Sequence, residues 1–146
     1  MLNTTIIKFN NMYKKILAGL GGAIALNILH ETIRKNFDNV PKINEVGEEA
    51  LLKFTNNTPI NFTAEKSLYA ATLVSDIVSN GVYYATTATK NDLTSGLLAG
   101  AGAILLPKKM GLNEKPVAGT NKKKALTIGY YLFGALVTKF IYDKIK

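Results

Sequence analysis

At 146 residues the chain has room for one domain, spanning 1–146, and no second independent core. Its formal charge of +8 would suit nucleic acid, but the bases sit at the ends of apolar segments, where they act as topology determinants and lipid-headgroup contacts; nucleic acid is not an expected partner. Cysteine is absent, which excludes disulfides and thiolate chemistry, and a single histidine cannot build a histidine-based zinc site, so neither a metal nor a cofactor is expected.

Apolar stretches almost free of charge alternate with short loops dense in lysine, the pattern of an all-α, polytopic transmembrane bundle. The first such stretch, Ile16 to Leu29, reads ILAGLGGAIALNIL behind Lys14 and Lys15 and extends through its polar end, predicting a helix near 12–34. A signal peptide has the same basic flank. No small-x-small cleavage site follows, however, so a retained signal-anchor helix is expected.

The long loop 36–66 carries Ile43, Val46, Ala50, Leu51 and Phe54 at helical spacing, with Glu45, Glu48 and Glu49 mostly off that stripe. A short interfacial amphipathic helix is predicted, with Asn44 as its N-cap after Pro41. Its acids would be repelled by anionic lipid, so it should lie against the protein's own helix ends.

The second span, near 67–89, is long enough to cross a hydrocarbon core, which takes about 20 helical residues. Its one acidic or basic residue away from the ends is Asp76. The third, near 92–107, is short, rich in glycine and alanine, and expected to end at Pro107. The fourth, near 124–143, follows Lys122, Lys123 and Lys124 and is interrupted by Lys139, which can snorkel to the headgroups. Four spans result, the third short.

Three polar features stand out. In the first span Asn27, His30 and Arg34 share a face at i, i+3 and i+7, with Glu31 on its flank. This is not the zincin HExxH helix, because the fourth residue after His30 is Arg34. In the second span Tyr69, Thr72, Asp76, Asn80 and Tyr83 form a continuous stripe. A carboxylate at mid-span costs about 2.5–3.5 kcal/mol on insertion scales, so the stripe must face inward. The expected binding cluster is therefore Asn27, His30, Glu31, Arg34, Asp76, Asn80 and Tyr83. Asp76 and Asn80 would face span one near the depth of Asn27, with Asp76 held by Arg34 or His30 or protonated. On that reading Asp76→Leu strands Asn80 and lowers stability. The third feature is small-xxx-small spacing, Ala18 with Gly22, Gly19 with Ala23 and Gly96 with Gly100, which lets helix backbones approach closely.

Through LNILHETIRK, NEVGEEAL, SDIVSNGVYY, ILLPKKMGL and TIGYYLFGALV the chain resembles small bacterial four-helix inner-membrane proteins that have no assigned activity. The resemblance implies a multi-pass protein of the cell inner membrane and transfers no functional residue. Two functions compete. One is a non-enzymatic bundle, an oligomeric transport or channel-like protein or an accessory subunit, with membrane lipids and either further copies or a larger membrane complex as partners. The other is an intramembrane enzyme acting on a lipid, with Asp76 or His30 as acid or base.

Basic residues set the orientation. Arg34, Lys35, Lys42, Lys53, Lys66, Lys108, Lys109, Lys115, Lys122, Lys123 and Lys124, eleven of the 18, fall in the loops after spans one and three. The positive-inside rule puts these loops in the cytoplasm and both chain ends outside, although Lys14 and Lys15 pull the other way. Cysteines introduced at Asn3 and Lys146 should react with an impermeant thiol reagent from the same side of the membrane; labelling from opposite sides would exclude an even number of crossings.

Overall fold

The computed structural model describes residues 1–146, and all of its regular structure is helical: α1 (Leu2–Asn36), α2 (Ile43–Thr55), α3 (Glu65–Thr87), α4 (Asp92–Lys109), α5 (Lys115–Ala118) and α6 (Asn121–Ile145). Two of these, α1 and α6, are long and apolar enough to cross a membrane. The predicted segments lie within α1, α3, α4 and α6 to within a few residues at most ends, and α2 is the amphipathic helix of the long loop.

Three boundaries differ from expectation. First, α1 begins at Leu2, because the polar residues before Lys14 are compatible with helix and no proline or glycine interrupts them. Residues 1–13 lie exposed, beyond the packed part of the bundle. Second, Asn44 does not cap α2. It lies inside the helix and donates from Nδ2 to Glu48 Oε1 at 3.3 Å, while the first free N–H of α2, that of Ile43, donates to His30 Nε2 of α1 at 3.1 Å. A cap supplied by another helix leaves no local sequence mark. Third, α4 continues through Pro107 to Lys109. The Leu112 N–H reaches back to the Pro107 carbonyl at 2.8 Å and the Gly111 N–H to Lys108 at 3.1 Å, with Gly111 left-handed at φ 73°. These are the two bonds of a Schellman ending, so glycine terminates this helix and proline does not. The single turn α5 was not anticipated.

Packing follows from the smallest residues. Along one face of α1, Gly19 lies against the backbone of Gly81 and the side chain of Ala85 on α3, while Gly22 meets Gly134 and Thr138 of α6. On α4, Gly96 rests on Leu132 and Ala135 and Gly100 on Ile128, so α4 packs on α6. α1 thus stands between α3 and α6, and α6 stands between α1 and α4. The core these contacts enclose combines Ala18, Ala23, Leu26, Tyr84, Tyr130 and Ala135 with buried Thr72, Thr127 and Thr138. Most other branched side chains and phenylalanines go outward: Ile24 and Ile28 on α1, Val74, Val78 and Val82 on α3, Leu97, Leu98 and Leu105 on α4, Phe133, Leu136 and Phe140 on α6.

Both chain ends lie at one end of the bundle, where the Tyr142 hydroxyl donates to Asn11 Oδ1 at 2.8 Å. At the other end α2 and α5 cover the helix termini, and the Lys42 N–H joins them by donating to the Pro116 carbonyl at 3.0 Å. The lysine-rich loops gather there.

Gly22→Val should therefore lower the melting temperature in detergent, since the added carbons collide with the Gly134 carbonyl and the Thr138 hydroxyl and overpacking costs about 1–3 kcal/mol. Gly129→Ala meets nothing within 4 Å and should be neutral or stabilising by about 0.5–1 kcal/mol through helix propensity. Equal melting temperatures for the two variants would exclude the close α1–α6 contact.

Candidate functional site

The turn between α3 and α4 is only four residues, 88–91, yet the two helices bind different neighbours, α3 on α1 and α4 on α6. They are clasped beside the turn, where the Tyr83 hydroxyl donates to the Ser95 carbonyl at 2.7 Å and the Thr87 and Ser95 hydroxyls lie 2.7 Å apart. Further along they splay. The wedge between them is a groove of about 740 Å³ that opens sideways between the helices. Asp76, Ser79, Asn80 and Tyr83 form one wall, Leu98, Ala99, Gly102, Ala103 and Leu106 the other, and Tyr131 of α6 the back.

α2 roofs this groove with Ile43, Val46, Gly47 and Ala50. It is pinned at both ends: Ile43 to His30, Glu49 Oε2 accepting from the Asn113 N–H at 2.9 Å, and Lys53 Nζ donating to the Met110 carbonyl at 2.5 Å. Gly47 lets the roof descend onto α3. A methyl group there would press to 2.7 Å on Thr72 Cγ2 and would lie 3.6 Å from both carboxylate oxygens of Asp76.

The seven residues expected to form one cluster divide among three places. Asp76, Asn80 and Tyr83 line the groove. Glu31 and Arg34 line a separate charged cleft of about 470 Å³ at the lysine-rich end, with Glu48, Glu65, Lys66 and Tyr69. Asn27 and His30 are buried between the two, at a small space that Glu31 and Asp76 also border, so Asp76 does lie beside Asn27 of span one as expected, whereas Asn80 does not.

The expected partnership of Asp76 with Arg34 or His30 is corrected. Arg34 grips Glu31 of its own helix through two bonds, Nε to Oε1 at 3.2 Å and a terminal nitrogen to Oε2 at 2.6 Å, a pair that local i, i+3 geometry forms without help from tertiary structure. His30 uses its Nε2 lone pair on Ile43 and packs edge-on against Tyr130, ring centroids 5.7 Å apart. Asn27 turns back to its own helix, donating to the Ala23 carbonyl at 2.9 Å. Nor does Asn80 face span one: its neighbour across the groove is Tyr131 of α6. Asp76 consequently has no counter-ion and no hydrogen-bond donor.

Gly47 and the alanines of α4 that line the groove carry no mark in the sequence. Tyr131 does show in the sequence, as part of a mildly polar inner face of span four with Thr127, Gly134 and Thr138 at helical spacing. Tyr84 joins the same region, donating to the Tyr131 carbonyl at 2.7 Å. No family model matches the chain, and no curated protein or solved structure is detectably similar to it.

Because its carboxylate bonds to no other side chain or backbone group, Asp76→Leu should melt at or above the temperature of the unsubstituted protein, the reverse of what the inward stripe implied. Tyr84→Phe, which deletes a buried interhelical bond, should cost about 1 kcal/mol. A large loss of stability in Asp76→Leu would show that the carboxylate has a partner after all.

Proposed function

We propose that the chain is a multi-pass inner-membrane protein, like the bacterial proteins its sequence resembles, that binds a small amphipathic molecule entering sideways from the lipid. All four long helices carry outward aliphatic and aromatic side chains, including α3 and α4, whose valines and leucines would be a large apolar surface in water. At about 1.5 Å per residue the 18 residues of α4 extend some 27 Å, close to the thickness of a hydrocarbon core. In this setting α1, α3, α4 and α6 are the four spans and α2 lies at the interface.

One observation carries the binding reading: an apolar lateral groove whose wall bears a single carboxylate with no counter-ion. A ligand with a hydrocarbon body and a cationic or hydrogen-bond-donating head satisfies both features, since a carboxylate in low dielectric is stabilised by a cation. The space between α1, α3 and α6 is filled by Ala23, Leu26 and Tyr84, which favours lateral binding over conduction along the bundle axis. His30 and Arg34 are both engaged, which favours recognition over acid–base chemistry at Asp76. The role that fits is a transport or accessory function in which a ligand is taken from the lipid and released, alone or within a larger membrane complex.

The chain contains no tryptophan, so Leu98→Trp places a unique fluorophore on the groove wall. In lipid nanodiscs, dodecylamine should shift its emission saturably while dodecanoate should not, and the response should vanish on adding Asp76→Asn or Gly102→Phe. An amine response indifferent to both substitutions would remove the groove as the binding site.

A further inference from the structure

Between the groove and the charged cleft lies a third, enclosed space of about 10 Å³, roughly the room for one water molecule. It shares Glu31, Asn44 and Tyr69 with the cleft and Asp76 with the groove. Two of its lining residues carry buried polar atoms with no partner, Thr72 Oγ1 and Asn44 Oδ1. Thr72 is only 2% exposed, so solvent outside the cavity cannot satisfy it. Orphaned buried groups of this kind carry a penalty that a bound water removes, provided it finds two to four polar partners. Three lining residues could supply them: Thr72 and Asn44 with their unpartnered oxygens, and Asp76 with its carboxylate.

We infer that this cavity holds a single water through which Asp76 exchanges protons with the aqueous compartment at the lysine-rich end of the bundle. The inference rests on the reading of Asp76 as the polar end of a ligand groove and adds that its charge is set from one side of the membrane. In the transfer the water gives a proton to an Asp76 oxygen and takes one from the cleft side, where Glu31 and Tyr69 border both spaces, so no charge remains in the cavity. The titratable groups facing Asp76 are few. α1 offers His30 and Glu31, α3 itself Tyr69 and Tyr83, and α6 Tyr131, while α2 presents Asn44 and Gly47 and α4 presents only apolar residues. None of these is a fixed cation, so protonation is the one means the fold itself supplies of discharging Asp76. Once Asp76 is protonated a cationic head loses its counter-charge, which couples release of the ligand to acid on the lysine-rich side.

Rapid-mixing infrared spectroscopy of the full chain in nanodiscs tests this directly. The carbonyl band of a protonated carboxyl that disappears in Asp76→Asn reports Asp76, and its shift on mixing with D₂O reports proton access. Thr72→Val and Asn44→Leu, each removing one hydrogen-bonding partner of the water, should slow that shift about tenfold. Thr72→Ser, which retains the hydroxyl, and Ser79→Ala, on the groove side, should leave it unchanged. Should Thr72→Val not fold, Asn44→Leu and Thr72→Ser still decide the matter. Exchange unaltered in Asn44→Leu and Thr72→Val, exchange slowed by Ser79→Ala, or no protonated carboxyl from mildly acidic to neutral pH would each overturn the route. Dodecylamine binding, measured in parallel, separates the two failures: a route that fails with amine binding intact leaves the groove reading standing, whereas amine binding indifferent to Asp76 removes it.

Discussion

Everything in this molecule depends on the contact of glycine and alanine backbones along α1. Because Gly19 and Gly22 have no side chain, α3 and α6 reach the α1 backbone from two sides, and any larger residue at either position would have to displace one of them. Close approach of this kind provides dispersion and backbone contact without needing large apolar side chains inside. The consequence is an inverted distribution. Around Leu26, Tyr84 and Tyr130 the interior is alanine, glycine and threonine, while most isoleucine, valine, leucine and phenylalanine side chains cover the outside. Such a surface suits a lipid solvent, in which apolar side chains gain nothing by being buried.

The groove is a geometric result of the same contacts. α3 is committed to α1 and α4 to α6 by Gly96 and Gly100, and the four-residue turn and the Tyr83–Ser95 bond hold them together only at one end. Two rods tied at one end and seated on different neighbours must diverge. The α2 roof then closes the wide end, held by bonds to distant parts of the chain: its start to His30, and its own Glu49 and Lys53 to the segment at and after the end of α4. The histidine thus serves as an acceptor for a helix N-terminus that has no capping residue of its own.

Polar groups in the interior are of two kinds. Most are satisfied close at hand, as when Thr138 bonds the Gly134 carbonyl or Asn27 that of Ala23, which adds polarity without constraining the neighbouring helix. The other kind lacks a partner: the Tyr130 hydroxyl, and Thr72 Oγ1 and Asn44 Oδ1, whose residues border a single small space together with Asp76. Leaving the Thr72 and Asn44 atoms unserved costs more than the net value of one hydrogen bond, and the inferred water would meet both and reach Asp76. Polarity at this point therefore connects the charged end of the bundle to the apolar groove.

The sequence by itself determined the all-helical class, the four long helices, the amphipathic helix of the loop and the small-residue faces, because each depends on periodicity within one segment: Gly19 and Ala23 lie on one face whatever packs against them. It also singled out Asp76 as costly in an apolar run. Tertiary structure alone decided where that carboxylate points. Periodicity places Asp76 and Asn80 on a common stripe, but whether the stripe meets α1, α4 or α6 depends on the rotation of α3 about its own axis, which is set by the Gly81 and Ala85 contact with Gly19. The helix ends follow the same division. Asn91 caps α4 by accepting from the Thr94 N–H at 3.0 Å, a purely local bond, whereas α2 is capped by His30, 13 residues away in sequence and on another helix, which no local pattern encodes.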